Sequence, residues 1–355
     1  MGRGCQARKQ LKKLYSGHKK KLFWSVLSAG LILWFWFSLP DPLFTDPTCT
    51  VLEDEQGHLL SARIAEDGQW RFPYDDKIPH KFEQAILQFE DQHFYKHPGV
   101  NPFSIVRALK QNIEAGQIVS GGSTLTMQLI RLSRKGKPRT VYQKFIEMIL
   151  ALRTELRYSK EEILALYASH APFGGNVVGL HAAAWRYYQR SPEHLSWAET
   201  CALAVLPNAP ALIFPGKNEQ AFRQKRNALL KKLYAESVID QTTYELALDE
   251  PLPGQPRRLP QLVPHLVNHA MKDGFRGERI RTSINRRLQR QVLRRTEMHH
   301  RRLKYNQIHN AAALVLDTET GQVKAYVGNT TDPENRHQNR VDVITAPRSS
   351  GSILK

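Results

Sequence analysis

Three stretches of this 355-residue chain set chemically capable side chains in close order. In "FEDQHFYKHPGV", residues 89–100, Glu90 and Asp91 end an amphipathic helical pattern, ahead of an aromatic cluster and a Pro-Gly turn. A carboxylate beside aromatic and apolar side chains has its pKa raised toward neutrality, which suits a general base. The plainer alternative is a solvated acid pair. "SGGSTLTMQL", residues 120–129, exposes backbone N–H groups and the hydroxyls of Ser123, Thr124 and Thr126 at a helix start, a way to hold phosphate oxygens. It is not a Walker loop, because no Gly-Lys-Ser/Thr follows. Here the plainer alternative is a polar turn capping a helix. In "RSSGSILK", Ser352 and Lys355 stand one helical turn apart, where the amine accepts the hydroxyl's proton. That spacing is common by chance and draws its weight from its surroundings.

The elements that must position these residues follow from periodicity. "CTVLEDEQGHLLSARIAEDGQWRFPYD" alternates around Gly57 and Gly68 and predicts short strands joined by turns. From Pro79 to about Asp249, apolar residues recur at three- to four-residue spacing, as in "KFEQAILQFEDQHFY", "SIVRALKQNIEAG", "VYQKFIEMILALRTELRYS" and "KEEILALYASH", which predicts helices. Residues 251–265 hold five prolines and read as a linker. A very basic helix, "NRRLQRQVLRRTEMHHRRLK", comes next. "AAALVLDTETGQVKAYVG" then predicts a hairpin around the Glu319-Thr320-Gly321 turn.

Composition is globular, with 41% hydrophobic and 24% charged residues. A net charge of +18 points to an anionic partner: nucleic acid, a membrane surface or a phosphorylated substrate. Residues 1–21 carry eight basic residues and no acid, and Leu22 to Pro40 carry no charge at all. As a helix that stretch is roughly 28 Å long, enough to cross a bilayer core. Trp24 at one end, and Trp34 and Trp36 at the other, suit the two interfaces. A cleaved signal peptide fits less well, because "FSLPDP" is a poor cleavage site. The expectation is a single-pass signal anchor with its N-terminus in the cytoplasm and the rest outside, which leaves no role for nucleic acid. Cys5, Cys49 and Cys201 show no metal spacing, and nothing calls for a pairing of the last two.

The two motifs at 89–100 and 120–129 together resemble the first two motifs of the family 51 peptidoglycan glycosyltransferases, the lysozyme-like domain of class A penicillin-binding proteins. "YQKFIEMILALRTELRYSKEEILALY" resembles the third motif and the helix after it, and "APFGGNVVGLHAAAWRYYQRSPEHLSWAETCALAVLPNAP" the fourth and fifth. The resemblance runs over residues 75–250, and the wording "HPGVNPFS" and "APFGG" is similar to 1C-type members. It implies a mainly α fold: a basic tail (1–21), a transmembrane anchor (22–40), a short β-rich segment (41–75), the glycosyltransferase domain (76–250), a linker with the basic helix (251–310), and the first strands of an α/β transpeptidase domain (311–355).

The implied activity is polymerisation of lipid II into glycan strands at the outer, periplasmic face of the bacterial inner membrane, with inversion at the anomeric carbon. By the resemblance, Glu90 is the general base. Glu147 acts at the pyrophosphate, directly or through a divalent cation, magnesium or manganese. Ser123, Thr124, Gln128, Arg131 and Lys144 contact the donor phosphates. Ser352 resembles a transpeptidase nucleophile and Lys355 its proton acceptor, but the later transpeptidase motifs do not follow, so no transpeptidase activity is expected of this chain by itself. The third motif departs from the family, with Gln143 in place of an arginine, and so does the fourth, with Ser169 in place of an asparagine. These departures leave a second reading: a non-catalytic membrane-anchored protein that binds lipid II or scaffolds other cell-wall synthesis proteins.

Overall fold

The structure is a computed structural model that describes residues 22–117, 121–135, 140–208, 215–330 and 336–347. In chain order the helices are α1 (22–37), α2 (His80–Glu90), α3 (Pro102–Ala115), α4 (Leu125–Ser133), α5 (Val141–Glu155), α6 (Lys160–His170), α7 (Leu180–Tyr188), α8 (Trp197–Val205), α9 (Glu219–Ala235), α10 (Gln241–Asp249), α11 (Pro264–Lys272) and α12 (Arg286–Leu303). The strands are β1 (Thr50–Glu53), β2 (Leu59–Arg63), β3 (Trp70–Arg71), β4 (Val177–Val178), β5 (Arg279–Arg281), β6 (Ala313–Leu316) and β7 (Val323–Val327). The chain divides into two units: residues 1–45 with 93–163, and residues 46–92 with 164–355.

The first unit is helical. Its buried centre is Val100, Met127 and Ala151, with Ile105 and Met148 packed against it. Two glycines let the backbones come this close. Gly99 sits at φ +89°, and a Cβ there would lie 2.7 Å from the Ala151 carbonyl oxygen. A Cβ on Gly122 would lie 2.8 Å from Ile105 Cα. Asn101 caps α3 by accepting from Ser104 N–H, and Gly116 ends that helix in the left-handed region.

Helix α1 is shorter than the sequence predicts. It ends at residue 37, where Ser38 Oγ donates to the Phe35 carbonyl. Pro40 disfavours a helical Leu39, and Pro42 follows shortly. Among the described residues no helix is long and apolar enough to cross a membrane. Arg153 stacks its guanidinium 4.6 Å from the Trp36 ring centroid and donates to the Trp36 carbonyl, and Arg157 pairs with Asp41 at 2.6 Å.

The second unit buries α8 almost completely, between α2 and α9. Ser196 and Glu199 form a reciprocal capping box at its start. Arg226 on α9 is fully buried, and its guanidinium donates to the carbonyls of Leu248 and Glu250 at the end of α10. The predicted strands after residue 41 are present as β1 and β2, an antiparallel pair. β1 also pairs in parallel with β5, Val51 opposite Arg279, so the sheet order is β2-β1-β5. The predicted hairpin is β6–β7, antiparallel, with Gly321 at φ +67° in its turn. A second core of Leu52, Leu60, Val263, Val267, Ile284 and Tyr326 joins this sheet to the elements after the proline-rich stretch. Cys49 and Cys201 are buried and unpaired, and burial pushes the Cys49 thiol up to about 11.

Candidate functional site

In the first unit, four of the expected phosphate-contacting residues lie at the start of α4 or along it, Ser123, Thr124, Gln128 and Arg131, and the fifth, Lys144, lies on α5. Thr124 is the N-cap of α4: the hydroxyl accepts from Met127 N–H at 3.2 Å and donates to the Gly99 carbonyl at 2.6 Å. That hydroxyl is buried, and through it Thr124 ties the Pro-Gly turn to the helix start, whose N-terminal end favours an anion. Ser123 is partly exposed, and its Oγ is 3.4 Å from Arg131 Nη2.

Arg131, two turns along α4, forks onto Glu147 of α5. Its Nε donates to one carboxylate oxygen at 3.1 Å and its Nη2 to the other at 2.9 Å. Glu147 is nearly buried, while Arg131 keeps about a third of its side chain exposed. The carboxylate therefore fixes the guanidinium in one orientation and leaves an edge of it toward solvent. Lys144 lies one turn before Glu147 on α5, and Gln128 one turn after Thr124 on α4; both are partly exposed. Gln143 has its side-chain oxygen buried with no hydrogen-bond partner among the described residues.

Both oxygens of Glu147 already accept from Arg131, and among the described residues no three His, Cys, Asp or Glu come together as a metal group. A divalent cation at Glu147 would take its remaining ligands from water or a bound pyrophosphate.

A network the sequence does not reveal holds this arrangement. Glu155, at the end of α5, accepts from Thr126 Oγ1 at 2.6 Å and from Lys160 at 2.8 Å. Lys160 also donates to the His97 carbonyl and lies 4.3 Å from the centroid of the Phe94 ring. The aromatic turn at 93–99, α4 and α5 are joined through these two charges.

In the second unit, Glu90 is the last residue of α2 and is partly exposed. Asn208 Nδ2 donates to Glu90 Oε1 at 3.3 Å, and Lys225 on α9 donates to Asn208 Oδ1 at 3.1 Å. The lysine orients the amide so that its NH₂ faces the carboxylate. Asp91 is buried at the helix end, and Lys232 holds the last turn of α2 through the Gln88 carbonyl. Asn208 lies in the quoted "LPNAP" stretch, but only the fold shows that it reaches Glu90. Ser352 and Lys355 lie outside the described residues.

A family model described as Transglycosylase matches residues 57–234. Over 343 residues the chain is 34% identical to "Penicillin-binding protein 1C" of Escherichia coli (strain K12), covering 95% of this chain and 44% of that protein. It is 36% identical over 220 residues to "Penicillin-binding protein 1A" of Aquifex aeolicus (strain VF5), covering 61% of this chain and 30% of the other. It is 29% identical over 317 residues to "Penicillin-binding protein 1B" of Escherichia coli (strain K12), covering 84% and 37%. The chain thus spans less than half the length of these curated relatives. A crystal structure of "Penicillin-Binding Protein 1A from Haemophilus influenzae" aligns with a TM-score of 0.34 at 17% identity, over 82% of this chain and 34% of that one, too loosely to carry an argument.

Proposed function

The chain belongs to the transglycosylase family, and from that premise we propose that it is a peptidoglycan glycosyltransferase that polymerises lipid II into glycan strands. The family match carries the reading, because it takes in Glu90, Ser123, Arg131, Glu147 and Asn208 in one continuous run.

In this reading Glu90 removes the proton from the 4-hydroxyl of an incoming GlcNAc. The oxygen attacks C1 of the MurNAc at the end of the growing strand. The bond from C1 to the pyrophosphate oxygen breaks with inversion, and its electron pair leaves on the pyrophosphate. The charge that develops there is met by the α4 N-terminus, Ser123, Gln128, Lys144 and the exposed edge of Arg131. Glu147 keeps Arg131 aimed. A magnesium or manganese ion entering with the pyrophosphate would add further neutralisation beside Glu147.

Residues 22–40 are the proposed membrane anchor, with the N-terminus in the cytoplasm and the residues after the anchor on the periplasmic side of the inner membrane. In support, eight basic residues precede an uncharged stretch, and α1 exposes Leu22, Phe23, Trp24, Leu31, Trp34, Trp36 and Phe37. The chain should stay with membranes through a high-salt wash and leave only in detergent. Release by salt alone would contradict the anchor.

The activity is tested with purified chain and labelled lipid II. Glu90→Gln should slow polymerisation by about 10²–10⁴-fold. Polymerisation near the wild-type rate in that variant would remove Glu90 from the role. Lipid II binding without any polymer from the unmodified chain would favour the non-catalytic reading.

A further inference from the structure

The basic helix α12 takes no part in the chemistry above, yet it walls a cleft of about 490 Å³ in the second unit. Arg286, Arg287, Arg290 and Arg294 line it, with Gln56 and Gln291. No carboxylate of the described residues lies within salt-bridge distance of these four arginines. Asp54 also lines the cleft, but its oxygens already accept from the backbone N–H groups of Gln56 and His58 and from the His58 ring. The one acid of α12, Glu297, does not line it.

Two features separate this cleft from an ordinary solvated basic face. Arg286 Nε is buried and has no acceptor among the described residues, its guanidinium meeting only the Trp185 ring, 6.0 Å from the centroid. Burial holds the Arg286 guanidinium below its ordinary pKa, the neighbouring Arg290 adds to that, and Asp54 opposes it without cancelling it. In addition, Arg286 and Arg287 occupy the first turn of α12, where the helix dipole disfavours cations, and no acid offsets them there. The fold carries an unfavourable charge arrangement that a bound anion would relieve.

Spacing narrows the kind of anion. Arg286, Arg290 and Arg294 recur every four residues, about 6 Å apart along the helix. In an extended peptide, alternate residues are about 6.6 Å apart on one side of the chain. The side-chain amides of Gln56 and Gln291, which line the cleft, each carry both a donor and an acceptor. A peptide backbone satisfies both, whereas phosphate groups offer acceptors alone. We propose that this cleft binds an extended acidic peptide with carboxylates on alternate residues, laid along α12. This binding is independent of the transferase chemistry.

The test uses the full chain in detergent and a fluorescent octapeptide alternating Glu with Thr, read by anisotropy. Arg290→Ser and Arg294→Ser should each weaken binding about tenfold, and raised salt should weaken it further. Arg295→Ser, which does not line the cleft, should weaken binding less than either. Arg290 and Arg294 are exposed, so a thermal melt should find both variants folded. Three results would overturn the proposal: an unchanged affinity in the Arg290/Arg294 double variant, equal binding of an isomer with its four Glu contiguous, or displacement by tripolyphosphate at lower concentration than by unlabelled peptide. The last would assign the cleft to phosphate.

Discussion

Glu90 accepts a hydrogen bond from the Asn208 amide, and Lys225 holds that amide in turn. The Asn208 contact holds the Glu90 carboxylate in one orientation. Asn208→Ala removes this donor and should lower kcat about tenfold with KM little changed. Lys225→Met should lower kcat as well, because the amide loses the cation that orients it. An unchanged kcat in both variants would leave Asn208 without a positioning role. Arg131 differs: its partner Glu147 holds it through both oxygens, so the cation's aim depends on the pair rather than on either residue alone.

At the scale of elements, the α4 start depends on how closely the Pro-Gly turn approaches α5. Gly99 at φ +89° has no room for a Cβ against the Ala151 carbonyl and the Glu155 side chain. Gly99→Ala combines that clash with a strained backbone, a cost of about 1–3 kcal/mol. Its carbonyl is also the acceptor for Thr124, so the α4 cap moves with it. The expected outcome is a lower melting temperature together with weaker polymerisation. Ala at Gly57, where a Cβ meets nothing within 4 Å but φ is +88°, should cost stability through strain alone and spare activity. Equal activity loss in both variants would sink the link between turn and cap.

Across the whole second unit, a charge cluster joins segments far apart in the chain. Asp75 pairs with Arg279 at 2.5 Å and lies 3.4 Å from His181 Nε2, and Arg279 lies 3.7 Å from Glu53. Burial pushes the His181 imidazole below 6.5, the Arg279 charge adds to this, and Asp75 opposes it. A lowered histidine pKa means that the unfolded chain takes up the proton first. The contribution to stability is therefore full above about pH 6.5 and is lost as pH falls from there toward the folded value. Desolvation pushes Asp75 up, but the Lys77 N–H, His181 and Arg279 together hold it below the usual carboxylate range. Its contribution is lost only at more acidic pH. Melting curves between pH 7.5 and 5 should show the drop, and His181→Asn should flatten it. A variant that tracks the unmodified chain across that range would refute the assignment.

What the sequence alone determined is local. Apolar spacing marked the helices, Glu319-Thr320-Gly321 marked the β6–β7 turn, and the hydroxyls after Gly122 marked a capped helix start, because each depends on residues within a few positions of one another. Tertiary structure decided the rest. Val51 pairs with Arg279 across more than two hundred residues, and strands of three to five residues carry too little pattern to announce such a partner. The same holds for the contacts around the site. Nothing local distinguishes Asn208, Lys225, Glu155 or Lys160 from ordinary surface polar residues, and nothing local shows that the Thr124 hydroxyl reaches the Gly99 carbonyl. Hydrogen bonds between distant segments are set by packing, and packing is a property of the folded chain.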